Sequence, residues 1–399
     1  MVKSNYKYTM AACFLGYITQ AIMLNFPPLL FAFFASSFGV SELEITFLIA
    51  ANFILELTVD AIASKYADRI GYRPLVILAN TFASLGLCAM ALMPMILPSD
   101  AVYYGLIASM MLCGMGGGLM EVLISPIIEA CPTKNKAGIM SLLHSFYCWG
   151  QMAVILFSTI YFKTVGIEKW SYVTFAWACV PLIGLILFCF APIYRLVESG
   201  QGQSLKMLLK NKMFWIFLVM MLCAGASELS MAQWASYFAE TALGVEKWVG
   251  DLLGPCLFAL AMAITRVFFA KASEKIRLDT AIFVSCIICA VTYVIAFASQ
   301  NPIASLVGCA CCGFGCGVLW PATFSLSSAK IPNGGVLMFG VLALLGDAGC
   351  LVGPALTGSV SSAFGGDIRY GFAFALIFPI IMLSLAFVLI LSRKRTDNK

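Results

Sequence analysis

The chain has 399 residues, of which 62% are hydrophobic and 11% are charged, and its formal net charge is +5. Soluble domains contain about 45–50% apolar and about 25% charged residues. The composition therefore excludes an ordinary soluble protein and predicts an integral membrane protein. The positive charge does not indicate nucleic-acid binding, because the basic residues lie in short loops between apolar segments.

Twelve segments are long and apolar enough to cross a bilayer, which takes about 20 helical residues. In chain order the predicted spans are 9–35, 44–63, 74–97, 102–131, 139–162, 172–192, 213–238, 250–270, 280–298, 302–329, 334–363 and 370–391. They predict an all-α membrane protein with six spans in 1–193, a cytoplasmic linker at 194–212 and six spans in 213–399. From Ser204 we expect the linker to form a short amphipathic helix at the membrane surface. The first span exceeds a signal-peptide core, so we expect it to be retained.

The loops predict the orientation of the spans. If both termini are cytoplasmic, nearly all Lys and Arg residues of the loops lie inside, and the exceptions are Lys163, Lys169, Lys247 and Arg369. This asymmetry satisfies the positive-inside rule. We therefore predict a multi-pass protein of a bacterial cell (inner) membrane with both termini in the cytoplasm.

The two halves contain similar loops. The second-to-third connection reads DAIASKYADRIGYR from Asp60, and the eighth-to-ninth reads RVFFAKASEKIRLD from Arg266. At the same offset from these membrane-embedded charges, Asp68-Arg69-Ile70 aligns with Glu274-Lys275-Ile276. Each connection thus carries an acid, a base and an isoleucine at equivalent positions, which indicates an internal repeat.

The fourth and tenth spans repeat as well. GMGGGLME from Gly114 aligns with GFGCGVLW from Gly313, which places Glu121 opposite Trp320. Twelve spans in two similar halves are the layout of a transporter with its site near the middle of the membrane.

The SKYADRIGYR loop resembles the signature of the major facilitator superfamily, which is a small residue, Asp-Arg, Gly and a second basic residue. Here these are Ser64, where glycine is usual, and Asp68, Arg69, Gly71 and Arg73. Gly71 permits a tight turn, and Asp68 is placed to meet a helix N-terminus of the other half. The resemblance implies the major facilitator fold of two pseudo-symmetric six-helix halves, with this loop as part of a cytoplasmic gate.

The fourth and fifth spans resemble the fucose permease branch, the sugar:proton symporters. That branch has Glu followed by Asn-Pro, and later a Gln-x-Phe-Asn-x-x-Gly run. The corresponding residues here are Glu121, Ser125, Pro126, His144, Phe146, Tyr147 and Gly150. The branch uses its Glu as a coupling carboxylate, so the resemblance implies that role for Glu121. The first span departs from the branch, because better-studied members carry an Asp in this span, whereas here the polar side chains at depth are Gln20 and Asn25.

Three buried acids are candidates for proton coupling. Burying an ionised carboxylate in hydrocarbon costs several kcal/mol, so Glu121 is explained if it must gain and lose a proton. The alternative is a protonated Glu bonded to Ser125 or to a neighbouring helix. Glu56 and Asp60 lie one turn apart on one helix face. They are either a second protonation site or part of the cytoplasmic gate.

Polar and aromatic residues of several spans are candidates for substrate binding. In the seventh span, Glu228, Gln233 and Trp234 offer polar groups for hydroxyls and an aromatic plane; alternatively, this Trp belongs to an interfacial belt. His144, the single histidine, is a candidate to hydrogen-bond substrate or Glu121, to relay protons or simply to pack. The remaining candidates for the cavity lining are Asn25, Tyr147, Gln151 and Trp320.

The other deep charges are Arg266 and Asp347, which we expect to pair with acids or with each other. Such a pair would be structural or part of gating, and Glu274 is a further gating candidate. Asp347 is alternatively a substrate ligand. The densest cysteine group, CACCGFGC, has no nearby His, so we interpret it as small apolar side chains at helix contacts and predict no metal site.

The leading hypothesis is a secondary active transporter that couples protons to uptake of a sugar or similar small polar solute by alternating access. An exporter of amphipathic compounds is the alternative, because 20 Met and 31 Phe residues suit an aromatic, Met-rich cavity. A non-transporting solute sensor is a third hypothesis. We expect no enzyme activity and no cofactor. The expected partners are a small-molecule substrate, protons and lipid, without nucleic acid, and we expect a monomer.

Overall fold

The structure is a computed structural model that describes residues 5–40, 42–196, 202–244, 250 and 252–397. Regular structure in these ranges is helical, with no strand. The α-helices are α1 Tyr6–Asn25, α2 Phe31–Phe38, α3 Glu42–Ile70, α4 Tyr72–Ile96, α5 Val102–Ala130, α6 Lys136–Val165, α7 Trp170–Phe190, α8 Leu205–Lys210, α9 Lys212–Leu243, α10 Leu257–Ala272, α11 Leu278–Ala298, α12 Pro302–Lys330, α13 Gly335–Ala363, α14 Ile368–Ala375 and α15 Ile377–Asp397.

Twelve helical stretches of the described chain are long and apolar enough to cross a membrane, which confirms the predicted number of spans. The last span is divided into α14 and α15 at Leu376, and a π-helical turn at Leu252–Cys256 precedes α10. The linker helix predicted from Ser204 is α8, whose first turn is capped by the Ser204 hydroxyl accepting from the Met207 backbone N–H at 3.3 Å. Hydrophobic length located the spans, whereas the break at Leu376 and the π-helical turn were not predicted.

The chain forms two compact units. The first comprises the chain up to Thr133, Trp149–Gln203 and Gly335–Gly340, and the second comprises Lys134–Cys148, Ser204–Gly334 and the chain from Val341. The start of α6 therefore belongs to the second unit, and the start of α13 to the first. The division of the chain into two halves by a linker at 194–212 stays a prediction.

In the first unit, α5 packs closely against its neighbours through glycines. A Cβ atom added to Gly118 would lie 2.6 Å from the Glu56 carbonyl oxygen of α3. One added to Gly116 would lie 2.9 Å from the Ala79 carbonyl oxygen of α4. Small residues at such positions let helix backbones approach within the membrane. The glycine run thus brings α5 against both α3 and α4.

The second unit repeats this packing in the same register. A Cβ atom added to Gly317 of α12 would lie 2.9 Å from the Met262 carbonyl oxygen of α10. One added to Gly315 would lie 2.9 Å from the Ser285 carbonyl oxygen of α11. The contacts confirm the internal repeat and assign Met262 as the counterpart of Glu56.

The turn between α3 and α4 is stabilised within the first unit. Gly71 has a φ of 97°, which glycine adopts without strain. Asp68 accepts a hydrogen bond from the Tyr72 hydroxyl at 2.6 Å. Arg73 donates to the carbonyls of Phe188 and Ala191 at 3.0 and 2.8 Å, and also to that of Cys189. The arginine therefore caps the carboxyl end of α7.

Replacing Arg73 with Ala is expected to lower the free energy of unfolding by about 1.5–3 kcal/mol, since hydrogen bonds to a charged donor are lost. Unfolding is followed in detergent with a thiol-reactive dye, which reports exposure of the buried cysteines. Arg73→Lys should be intermediate, because an ammonium is a point charge without the planar fork. Arg69→Ala is the control, because Arg69 is exposed. Equal melting temperatures for Arg73→Ala and Arg69→Ala would contradict the assignment.

Candidate functional site

The first polar cluster joins α5 to α1 inside the first unit. Glu121 of α5 is half-buried, and Gln20 of α1 donates its amide N–H to the Glu121 Oε2 atom. One turn further along α5, the Ser125 hydroxyl shares a 2.9 Å hydrogen bond with the Tyr17 hydroxyl. Positions three or four apart lie on one helix face. Gln20 and Tyr17 therefore present two polar groups to the same face of α5.

This arrangement identifies which side chain is hydrogen-bonded to Glu121. The sequence offered Ser125 or a neighbouring helix, and the structure assigns the carboxylate to Gln20 while Ser125 bonds to Tyr17. Sequence reasoning noted Gln20 as polar but did not include it in the site, and it missed Tyr17. The available signal was the spacing of three residues between Tyr17 and Gln20.

Glu121 has no ion-pair partner among the described residues. The Gln20 side chain is 5% exposed, and its Oε1 atom has no hydrogen-bond partner within the described part of the chain. An amide supplies a donor and an acceptor, so it bonds a carboxyl group in either protonation state. The cluster can therefore hold a proton that is gained and released.

The acids of α3 lie in the same unit, against the glycines of α5. Glu56 is 7% exposed and Asp60 is 1% exposed. A Cβ atom added to Gly117 would lie 2.7 Å from Glu56 Oε1, and one added to Gly118 would lie 2.8 Å from Asp60 Oδ1. The carboxyl groups fit because these two positions have no side chain. Whether the pair serves protonation or gating stays a prediction.

The second polar cluster surrounds Arg266 of α10 inside the second unit. Its Nε donates to the Gly317 carbonyl at 3.0 Å, and its Nη1 donates to the His144 carbonyl at 2.9 Å. The Nη1 atom also lies 2.9 Å from Cys148 Sγ, and Nη2 lies 3.5 Å from Glu228 Oε2. Arg266, which is 3% exposed, thus ties α10 to α12, α6 and α9. The expected pairing of this arginine with an acid is realised with Glu228.

Aromatic rings extend from this region. The His144 ring stacks on Phe324 with centroids 5.9 Å apart, and Phe324 meets Trp320 edge-on at 6.2 Å. Trp320 is 8% exposed, and its indole N–H has no acceptor among the described residues. Trp234, in contrast, donates its indole N–H to the Pro354 carbonyl at 3.0 Å. Of these two tryptophans, Trp320 is the one whose indole N–H donates no hydrogen bond within the described part of the chain.

The other candidates occupy varied environments. Asn25 is half-buried and donates to the Ala21 carbonyl at 2.9 Å. The side chains of Tyr147, Gln151 and Asp347 are half-buried, and those of Gln233 and Glu274 are exposed. Their roles in binding and gating stay predictions.

Three buried cysteines meet between α11 and α12. The Sγ atom of Cys289 lies 3.6 Å from that of Cys316, which lies 3.9 Å from that of Cys312. Sequence grouping missed Cys289, because it comes from another helix. That these thiols pack the two helices together without a metal ion stays a prediction.

Twelve spans in two similar halves, with charged side chains buried inside each unit, define a multi-pass membrane transport protein. The model of the Major Facilitator Superfamily matches residues 10–336 and 257–399, and the chain belongs to that family.

Solved structures share the fold at low sequence identity. The Escherichia coli fucose:proton symporter FucP has a TM-score of 0.79 at 11% identity over 95% of this chain and 98% of its own. The proton:xylose symporter XylE, bound to 6-bromo-6-deoxy-D-glucose, has a TM-score of 0.82 at 13% identity over 97% and 95%. The human organic anion transporter MFSD10 has a TM-score of 0.74 at 14% identity over 96% and 99%. These likenesses establish the fold.

Among curated proteins, the membrane protein MosC of Rhizobium meliloti is 24% identical over 262 residues, or 65% of this chain. The chain spans 62% of the length of this relative.

Proposed function

We propose that the protein takes up a sugar or a similar small polar solute together with protons by alternating access. The observation that carries the proposal is the Glu121 carboxyl group, which is hydrogen-bonded to Gln20 and has no ion-pair partner among the described residues. A carboxyl group without a compensating cation is stable in such a place when protonated and costly when ionised. Its protonation can therefore bias the conformations that also bind solute, which is what coupling requires.

Two further features support uptake with protons. The fold resembles those of a fucose:proton symporter and a proton:xylose symporter, and both of these proteins are named for the transport of a sugar together with protons. We propose Trp320 as the aromatic ring of the solute site, since its buried indole N–H has no acceptor among the described residues. We further propose that the protein is a monomer of a bacterial inner membrane with cytoplasmic termini.

The test records external pH in de-energised cells that express the protein, while a panel of sugars and polyols is added. One or more solutes should make the medium alkaline, because protons enter with the solute. Glu121→Gln should abolish this signal while solute exchange across the membrane continues, since exchange needs no net proton release. Glu168→Gln is the matched control, because Glu168 is an exposed acid between α6 and α7.

If no solute of the panel changes the external pH, proton-coupled sugar uptake is refuted. Acidification of the medium would indicate antiport and refute it equally. Alkalinisation that persists in Glu121→Gln would leave symport in place but would remove Glu121 from the proton path.

A further inference from the structure

The fold does not require an acid at Glu56. The carbonyl oxygen of Glu56 lies opposite Gly118 in the first unit, just as that of Met262 lies opposite Gly317 in the second. The position that is Glu56 in the first unit is therefore methionine in the second. Because this position of the repeat holds an apolar side chain in the second unit, the repeat does not account for the desolvation cost of a buried carboxyl group at Glu56.

The Glu56 carboxyl group is buried beside the helix turn that carries Glu121. Its Oε1 atom would be 2.7 Å from a Cβ atom at Gly117, which precedes Glu121 by one turn on the same face of α5. Its Oε2 atom has no hydrogen-bond partner among the described residues. Asn52, one turn earlier on α3, is 4% exposed, and its Oδ1 atom also lacks a partner there. Two acceptors of α3 are thus buried against α5 without a donor.

The ionisable groups around Glu56 provide no positive charge among the described residues. They are Asp60 on α3 itself and Glu121 and Cys113 on α5. The segments α2 and 335–340 contain no charged residue, and the single charged residue of α4, Arg73, is bound to the end of α7. The Glu56 carboxyl group lies against Gly117, one turn from Glu121 on the same face of α5, so the two acids are neighbours. In a medium of low dielectric constant two neighbouring carboxylates repel strongly, so one of them holds a proton.

We propose that Glu56 and Glu121 share one proton, with Glu56 as the second member of the site that carries the coupled proton. Transfer within the pair moves the proton from the carboxyl oxygen of Glu121 to the carboxylate of Glu56, or back, and leaves the total charge of the pair unchanged. The purpose of the pair rests on the proposed function, whereas the sharing of the proton can be measured without any solute. Gly117 is a positioning residue, because its missing side chain admits Glu56.

Infrared difference spectroscopy of the purified, reconstituted protein tests the proposal. The carboxyl C=O band that disappears in Glu121→Gln is followed as pH is varied. The last proton of the pair is held against a neighbouring carboxylate, so removal of one carboxyl group in Glu56→Gln should move the upper midpoint of this band to lower pH, by about one pH unit or more. Glu56→Met, which installs the residue of the second unit, should give the same shift and keeps the test available if Glu56→Gln does not fold. Thr58→Val, on an exposed position of α3, should leave the midpoint unchanged.

An unchanged midpoint in Glu56→Gln or Glu56→Met would overturn the sharing of a proton. A shifted midpoint together with no solute-driven alkalinisation in the wild type would refute the proposed function and keep the pair. Alkalinisation in the wild type with an unshifted midpoint would refute the pair and keep the proposed function. The two hypotheses therefore fail separately.

Discussion

Replacing Arg266 with Met is expected to lower the free energy of unfolding by about 3–5 kcal/mol, since breaking a buried ion pair leaves the other charge uncompensated. The substitution removes the ion pair with Glu228 and the donors to the carbonyls of Gly317 and His144. Three helices lose their attachment to α10 at once. The measurement is thermal unfolding in detergent, followed by the reaction of a dye with newly exposed thiols.

The double variant Arg266→Met/Glu228→Gln should recover part of this loss. Once Glu228 is neutral, the buried site no longer contains an unpaired charge. The stability recovered should be about 0.5–3 kcal/mol, the usual coupling energy of two residues in contact. The control is Arg277→Met, because the Arg277 side chain is 61% exposed and its pairing with Asp279 spans 4.0 Å at the surface. Equal stability of Arg266→Met and Arg277→Met would show that the arginine is not a structural anchor.

Replacing Gly118 with Val is expected to destabilise the first unit by about 1–3 kcal/mol, the usual cost of forcing extra atoms into a packed interface. Its Cβ atom would lie 2.6 Å from the Glu56 carbonyl oxygen and 2.8 Å from Asp60 Oδ1. The first of these is a backbone atom, so relief requires α3 and α5 to move apart. The same assay measures the effect.

Gly202→Ala is the control for this substitution. Gly202 is exposed, and a Cβ atom there would have an ordinary contact of 3.5 Å with Asp68 Oδ2. Gly202→Ala should therefore unfold at the wild-type temperature. If Gly118→Val did so as well, the α3–α5 interface would have to be looser than the structure describes.

The spans, their number and the repeat could be predicted from the sequence because they are local or periodic properties. A run of apolar residues must form a helix in hydrocarbon, where every backbone polar group needs an internal partner. The glycine spacing from Gly114 and from Gly313 is repeated in the chain, so its alignment predicted that equivalent helices pack in the same register. The turn at Gly71 followed from the residue types around it.

The partners of the buried polar groups depended on tertiary structure. Gln20 and Glu121 are 101 positions apart, and Arg266 and the His144 carbonyl are 122 positions apart. Periodicity states which face of a helix is polar, but it does not state which neighbour that face meets. For this reason the sequence indicated an acid partner for Arg266 without identifying Glu228. It also grouped Cys312 with Cys316 but not with Cys289 of α11.

The sequence by itself determined that this protein is a twelve-span membrane protein with two similar halves and an exceptional carboxyl group at Glu121. Only the tertiary structure decided that Glu121 bonds to Gln20, and that the Glu56 carboxyl group lies against Gly117. The physical reason is that hydrophobicity is summed along the chain, whereas hydrogen bonds and ion pairs reach only a few ångströms and so depend on which helices are neighbours.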